Sequence, residues 1–191
     1  MGGSMKNIIA VLLFIFTVSY SAIPAKIENF SLNDYNGKSI ALTDFKDAKL
    51  IVLMFISTEC PVSNAYNERM AALYNDYKEK NVTIVGINSN KAETAEDIKT
   101  HAQEHEFGFP ILKDVNNVIA DKLNANNTPE IFVVHPSSLE VLYHGRIDDS
   151  QREAKVKTND LRIALEEILA GKAVTIKDTK AFGCTIKRVT K

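Results

Sequence analysis

The sequence contains no tryptophan and only two cysteines in 191 residues. Two thiols cannot staple a disulfide-dense mini-fold, and by themselves they do not make a zinc site. Glycine (8) and proline (5) are sparse, which excludes a collagen-like or linker-dominated chain. An excess of either charge is lacking too: 23 Lys and Arg stand against 24 Asp and Glu, a formal net charge of −1. So small a net field gives no global attraction for nucleic acid and no strong steering of anionic substrates. There is no phosphate-binding glycine loop, no basic–aromatic patch and no internal repeat.

What is present is a chain that is 45% hydrophobic and 25% charged, enough to bury one core. The length suits one domain, expected over residues 23–191. Ahead of it, Lys6 and the apolar run Ile8 to Val18 are followed by Ser19, Ser21 and Ala22. That run is short for a bilayer span but has the length of a signal-peptide core. Residues 1–22 are therefore expected to be a signal peptide, with Met1-Gly-Gly-Ser4 a cloning scar ahead of a start at Met5. The competing reading is an uncleaved anchor or a buried N-terminal helix. A signal implies an exported protein, periplasmic or secreted, with no stable membrane association after cleavage, in a compartment where disulfides persist.

Along the domain, Asn36-Gly37 between two loosely alternating runs predicts a β-hairpin over 27–45. Leu50 to Ile56 is a continuous apolar run and predicts a strand buried on both faces. Val62, Tyr66, Met70, Leu73 and Tyr77 fall three or four apart, predicting an amphipathic helix from Pro61 to Lys80. A second buried strand follows at Val82 to Asn88. Thr94-Ala-Glu-Asp97 has the form of a capping box opening a helix to about Glu106. A short strand is expected at Phe109 to Leu112. Asp114 is placed to cap a helix through Leu123, with Val115, Val118, Ile119 and Leu123 on one face. Two strands, Glu130 to His135 and Leu139 to His144, flank a turn at Pro136-Ser-Ser138. A last helix carries Leu161, Ala164, Leu165 and Ile168, ends at Gly171, and leaves a partly β-prone tail. The order predicts an α/β layer structure with a mixed central sheet flanked by helices, an N-terminal hairpin and a C-terminal tail.

The most informative point is Phe55-Ile-Ser-Thr-Glu-Cys60-Pro61. A buried strand ends there, and a cysteine stands immediately before a helix opened by proline. A thiolate at that place faces unpaired backbone N–H groups and the positive end of the helix dipole, which lower its pKa. Ser57 and Thr58 add hydroxyls able to donate to sulfur. The plainer alternatives are an inert buried cysteine or one half of a structural disulfide.

The strand–Cys–Pro–helix junction, the run Thr128-Pro129-Glu-Ile-Phe-Val-Val134 and the element order together resemble the thioredoxin fold. The N-terminal hairpin and Tyr143-His-Gly-Arg-Ile-Asp-Asp149 resemble, more narrowly, its redoxin or peroxiredoxin-like branch of the alkyl hydroperoxide reductase/thiol-specific antioxidant type. The tail Ala181-Phe-Gly-Cys184-Thr-Ile-Lys187 is similar to the ending of a peroxiredoxin-like subgroup. The resemblance covers about residues 27–187. It implies that Cys60 is the attacking cysteine, that Ser57 matches the Ser/Thr three residues before it, and that Pro129 is a cis-proline facing the thiol. Ser63 stands where a thioredoxin has its second cysteine, Glu59 where many have tryptophan, and Leu53 where peroxiredoxins have proline. Thr128-Pro129 lacks the arginine by which peroxiredoxins polarise peroxide, and Arg146 is the nearest substitute. Cys184 is then a resolving thiol for Cys60. A permanent structural bridge or a free buried thiol are its other readings.

The resulting expectation is a thiol-based redox protein with no metal or organic cofactor. Its partner is a thiol or disulfide protein acting as electron donor or substrate, with peroxide as a poorer one. A non-catalytic binding module, or Cu(I) delivery by Cys60, Cys184 and a histidine, is the alternative. His101-Ala-Gln-Glu104-His105 has the H-x-x-E-H form of some zinc peptidases, but on so charged a helix a solvated face is expected. His135 and His144 are expected to be satisfied or solvent-facing, and Asp148-Asp149, which could bind a cation, to be a solvated pair in a turn. Asn29, Asn81 and Asn126 open glycosylation sequons that matter only in a eukaryotic secretory pathway.

Overall fold

The computed structural model describes residues 23–190. The segment expected to be a signal peptide lies outside them, and among the described residues no helix is long and apolar enough to cross a membrane. The chain opens with the expected hairpin, β1 (Ser31–Asp34) and β2 (Ser39–Ala41). Gly37 takes φ +82° in its turn, and the Asp34 carboxylate accepts the N–H groups of Asn36 and Lys38. The second arm is shorter than the pattern suggests, because Leu42–Phe45 coils into a 3-10 turn closed by Asp44.

Strands β3 (Leu50–Phe55) and β4 (Val82–Asn88) form the centre, running parallel from Leu50↔Val82 to Phe55↔Ile87. With β5 (Ile111–Lys113), β7 (Glu130–Val134) and β8 (Val141–Gly145) they complete a seven-stranded mixed sheet of order β2-β1-β5-β4-β3-β7-β8. All six residues of β3 are buried, so its side chains feed two cores. On one face Leu50, Val52 and Met54 meet Met70, Leu73 and Tyr77 of α2 (Asn67–Tyr77), Ile98 of α3 (Ala95–Glu104), and Leu161 and Leu165 of α5 (Asp160–Leu169). On the other, Ile51, Leu53 and Phe55 meet Ile119 and Leu123 of α4 (Val118–Leu123), together with Ile27, Leu42 and the tail residue Ile186. Each such side chain removed from water contributes about 1.5–3 kcal/mol.

Two helices depart from the periodicity. The expected helix 61–80 is broken into α1 (Pro61–Asn64) and α2, with Ala65 and Tyr66 between them. Tyr66 bonds back to Ser63 O instead of continuing the ladder, and its side chain turns inward so that its hydroxyl donates to Asp148 (2.9 Å). The helix after Asp114 starts later than Asp114 would cap. Asn116 and Asn117 are both left-handed, which rotates the face: Val115 and Val118 are exposed while Ile119, Ala120 and Leu123 are buried. Asp114 still closes this entry by accepting the N–H groups of Ile119 and Ala120. The capping box at Thr94 and Asp97 forms as expected, and Gly171 ends α5 at φ +70°.

A second, two-stranded sheet sets the site. The tail strand β9 (Cys184–Thr185) pairs antiparallel with β6 (Asn127–Thr128), in register Asn127↔Thr185 and Thr128↔Cys184.

Candidate functional site at the start of the first helix

Parallel strands β3 and β4 end at the same edge of the sheet, so the loops that follow them converge. The loop after β3 brings Cys60 to the N-cap of α1, with Pro61 at the first helical position. Its Sγ accepts the Ser63 N–H at 3.3 Å, the helix-start geometry expected of a stabilised thiolate. Cys60 is 4% exposed and bonded to Cys184, with Cα atoms 5.9 Å apart across 124 positions of sequence.

Pro129 is preceded by a cis peptide bond, and the carbonyl of Thr128 lies 3.4 Å from Cys60 Sγ. The tail is laid along this same backbone edge. Ile186 N–H donates to Asn126 O (2.9 Å), and Asn127 Nδ2 donates to Gly183 O (3.3 Å). Gly183, at φ +151°, passes so close that a Cβ there would collide with Thr128 O. Phe182 packs on the Tyr66 ring, and Ile186 is buried in the second core.

Ser57 lies beside Cys60 but does not aim its hydroxyl at sulfur. It donates to Glu93 (2.6 Å), and its oxygen accepts the N–H groups of Glu59 (3.2 Å) and Cys60 (3.0 Å). Thr58 likewise donates to Glu93, through both N–H (2.6 Å) and hydroxyl (2.8 Å). Ser63, at the position of a missing second cysteine, is fully buried and accepts Ser57 N–H. Cys60, Cys184, Ser57, Thr58 and Pro129 are thus gathered at one place. Arg146 is committed elsewhere: its guanidinium pairs with Asp160 at the start of α5 (Nε–Oδ2 2.8 Å), and that hydrogen bond holds its pKa above the ordinary value.

Sequence reasoning missed two buried carboxylates beside the site, and Asp148, expected to be solvated, is 1% exposed and accepts from the Tyr66 hydroxyl and the Arg69 guanidinium. Glu93, 2% exposed, hangs from the loop after β4; its signal was the polar run Asn88-Ser-Asn90 directly following a buried strand. Glu130 follows the cis-proline and accepts the N–H groups of Asn126 and Asn127 (2.7 Å each) and His144 Nε2 (2.8 Å). Burial pulls the His144 pKa down, but the hydrogen bonds and charges of Glu130 and then Asp178 outweigh it and leave that pKa raised. His101, expected to be solvated, is 7% exposed and packs its ring against His105 and Phe107; burial and then His105 lower its pKa. Among the described residues, no group of three or more His, Cys, Asp or Glu is placed to hold a metal ion.

Residues 23–148 match the family model described as the AhpC/TSA family. The chain belongs to that family. The thiol-disulfide oxidoreductase ResA of Bacillus subtilis is 30% identical over 108 residues, covering 56% of this chain and 59% of that one; the chain spans less than two thirds of this relative. A hypothetical protein from Sinorhizobium meliloti 1021 is similar over nearly its whole length, with TM-score 0.81 and 31% identity, covering 89% of this chain and 96% of that one. The thioredoxin domain of a thiol-disulfide oxidoreductase from Bacteroides vulgatus has TM-score 0.61 at 20% identity, covering 78% of this chain and 98% of that domain, and shows the shared fold. The mixed sheet with its flanking helices is therefore a thioredoxin-like fold, as the sequence leads one to expect.

Proposed function

We propose that this protein is an exported thiol–disulfide oxidoreductase that uses Cys60 as nucleophile and Cys184 as resolving thiol. The observation that carries the reading is the Cys60–Cys184 bond at the start of a helix beside cis-Pro129. A relative named as a thiol-disulfide oxidoreductase supports it. In the reducing direction, the Cys60 thiolate attacks one sulfur of a partner disulfide, forming a mixed disulfide and releasing the partner's other sulfur as thiolate. The Cys184 thiolate then attacks Cys60 Sγ, which closes the internal disulfide and frees the partner's second sulfur. Partner disulfide plus protein dithiol become partner dithiol plus protein disulfide, so two electrons and two protons pass between the pairs. Both sulfurs come from the chain itself, and the step draws on no metal or organic cofactor. An external thiol donor, most simply a reduced protein dithiol, regenerates the pair.

Disulfides are the better substrates and peroxide the poorer one. A fast peroxidase stabilises charge on the leaving oxygen with preorganised donors. Here the stretch at Thr128-Pro129 offers no arginine, the Ser57 hydroxyl is directed into Glu93, and Arg146 is paired with Asp160. The signal-like residues 1–22 support an exported, periplasmic or secreted location for the domain of residues 23–191. The deciding comparison is the second-order rate of the reduced protein with a small disulfide against that with hydrogen peroxide, each repeated in Cys60→Ser. Faster disulfide reduction that vanishes in Cys60→Ser is expected. Rapid peroxide consumption that collapses in Arg146→Ala would make the protein a peroxidase with a relocated arginine.

A further inference from the structure

Glu93 collects four hydrogen bonds on its two carboxylate oxygens: from Ser57 Oγ (2.6 Å), Thr58 N–H (2.6 Å), Thr58 Oγ1 (2.8 Å) and Asn88 Nδ2 (2.6 Å). Four donors converging on one side chain suit a carboxylate, which only accepts, and charge-assisted bonds of this kind are the short, strong ones. Burying a carboxylate is nonetheless costly, and apolar replacement of buried charge is often neutral or stabilising. Stability alone is thus a weak reason for an acid at this point. Its location is more informative: two of the residues it grips, Ser57 and Thr58, form the turn that carries Cys60.

The same loop grips the other cysteine's segment. Asn90 Oδ1 accepts Lys187 N–H (2.7 Å), and Lys91 N–H donates to Lys187 O (2.9 Å). Lys187 lies three residues beyond Cys184. The loop from Asn88 to Glu93 is therefore a bracket with one arm on each half of the disulfide. Lys113 of β5 braces it from behind, donating from Nζ to Asn88 Oδ1 (2.9 Å) and Asn90 O (2.6 Å).

We propose that Glu93 is the positioning residue of the Cys60–Cys184 couple, holding the turn that presents Cys60 while its loop holds the tail that presents Cys184. This rests on the thiol–disulfide reading given above and names how that site is set. Two effects on Cys60 follow from the geometry. The Ser57 proton is drawn into Glu93, so the hydroxyl offers only lone pairs toward Cys60 and does not donate to sulfur. A negative charge one hydroxyl away from the Cys60 backbone also opposes thiolate formation. Glu93 thus trades some nucleophile acidity for a fixed geometry and a more stable disulfide. The other charged groups that feel it are Lys113 and His101 of α3; burial lowers the pKa of each, and Glu93 opposes the fall.

The test uses the domain with both cysteines, for its disulfide equilibrium with glutathione, and with Cys184→Ser, for the pH profile of Cys60 alkylation. Glu93→Gln removes the charge; with its amide oxygen held by the three donors that meet Oε2, its NH2 faces Ser57 and frees that hydroxyl. The alkylation midpoint should fall by about one pH unit, and the equilibrium constant for the internal disulfide should fall about ten-fold with it. Glu93→Asp keeps the charge but withdraws it by one methylene. It should move the midpoint less than Glu93→Gln does and still lower the disulfide equilibrium several-fold, a split between charge and reach that a merely structural role would not produce. Either variant behaving as the parent in the disulfide equilibrium overturns the proposal, and Glu93→Asp alone decides the matter if Glu93→Gln does not fold. A parent protein whose disulfide fails to exchange with glutathione overturns the redox reading and this inference with it. An exchanging parent with unmoved variants overturns the inference alone.

Discussion

Replacing Gly183 by alanine should loosen the Cys60–Cys184 disulfide more than any other single-methyl change in the tail. Gly183 adopts φ +151°, a region L side chains rarely enter, and a Cβ would collide with Thr128 O and stand 2.8 Å from its carbonyl carbon. Those are backbone atoms beside a proline, so no rotamer change relieves the clash. Forcing such a φ costs about 1–3 kcal/mol, and overpacking adds about 1–3 kcal/mol. A conservative total of about 3 kcal/mol corresponds to roughly 100-fold in an equilibrium constant. The strain acts only while β9 lies on β6, which the disulfide requires. In the reduced protein the tail can lift off and shed it. The equilibrium of the internal disulfide with glutathione, read by mass spectrometry of alkylated protein, should therefore fall by as much as about 100-fold, and the melting temperature should fall further in the oxidised protein than in the reduced one, where undocking costs only the tail's own contacts such as buried Ile186. Gly171→Ala is the control. Gly171 is also left-handed, at φ +70°, but a Cβ there meets nothing within 4 Å, so it should leave the disulfide equilibrium alone. A Gly183→Ala protein with the parent's equilibrium would refute the idea that the tail must dock closely for the bond to form.

In the Cys184→Ser protein, the Cys60 thiol should titrate below the free value of about 8.5, because the helix-start N–H of Ser63 meets its sulfur; an alkylation midpoint at or above that value would remove the reactive reading. Reducing the disulfide should lower stability by about 2–5 kcal/mol, since it closes a loop of 124 positions, and denaturant melts with and without reductant will show it. His144 has a raised pKa in the folded state, so its contribution to stability is complete below its unfolded pKa of about 6.5 and lost as pH rises through the folded one. Melting temperature should decline over that window, and His144→Gln should flatten the decline; an unchanged slope refutes the assignment. Arg146→Ala should lower stability by about 1–3 kcal/mol by breaking the partly buried pair with Asp160, while the rate with peroxide stays at the parent's level.

How much of this was legible in the sequence depended on the range of the contact. Leu50–Phe55 announces itself, because six successive apolar residues have no other comfortable place than a strand covered on both faces. The Cys60-Pro61 junction and the box Thr94–Asp97 are equally local, each a matter of residues within one turn. The break at Ala65–Tyr66 is not local: Tyr66 sits at helical spacing, and only Asp148, 82 positions away, explains its inward turn. Asn116 and Asn117 could have warned that the helix after Asp114 begins late, since asparagine tolerates left-handed backbone, but the apolar spacing of Val115 and Val118 spoke for the earlier start. Glu93 reads in the sequence as one more surface acid. Its role exists only because β3 and β4 end side by side.

The placement of the second sulfur gives the site its particular logic. In a local dithiol the two cysteines share a helix turn, and closing the bond moves little else. Here Ser63 occupies that turn and is used up structurally, its N–H on Cys60 Sγ and its hydroxyl receiving Ser57 N–H. The partner sulfur arrives on a strand whose own docking depends on Gly183 against Thr128, Phe182 against Tyr66, Ile186 in the core and Lys187 on the loop of Asn90 and Lys91. Docking and oxidation are therefore linked equilibria. Whatever free energy the tail gains by lying on β6 raises the effective concentration of Cys184 at Cys60, and the closed disulfide holds the tail docked by the same amount. The stability of the disulfide is thus written as much into residues 182–187 and the loop they touch as into the helix start that holds Cys60.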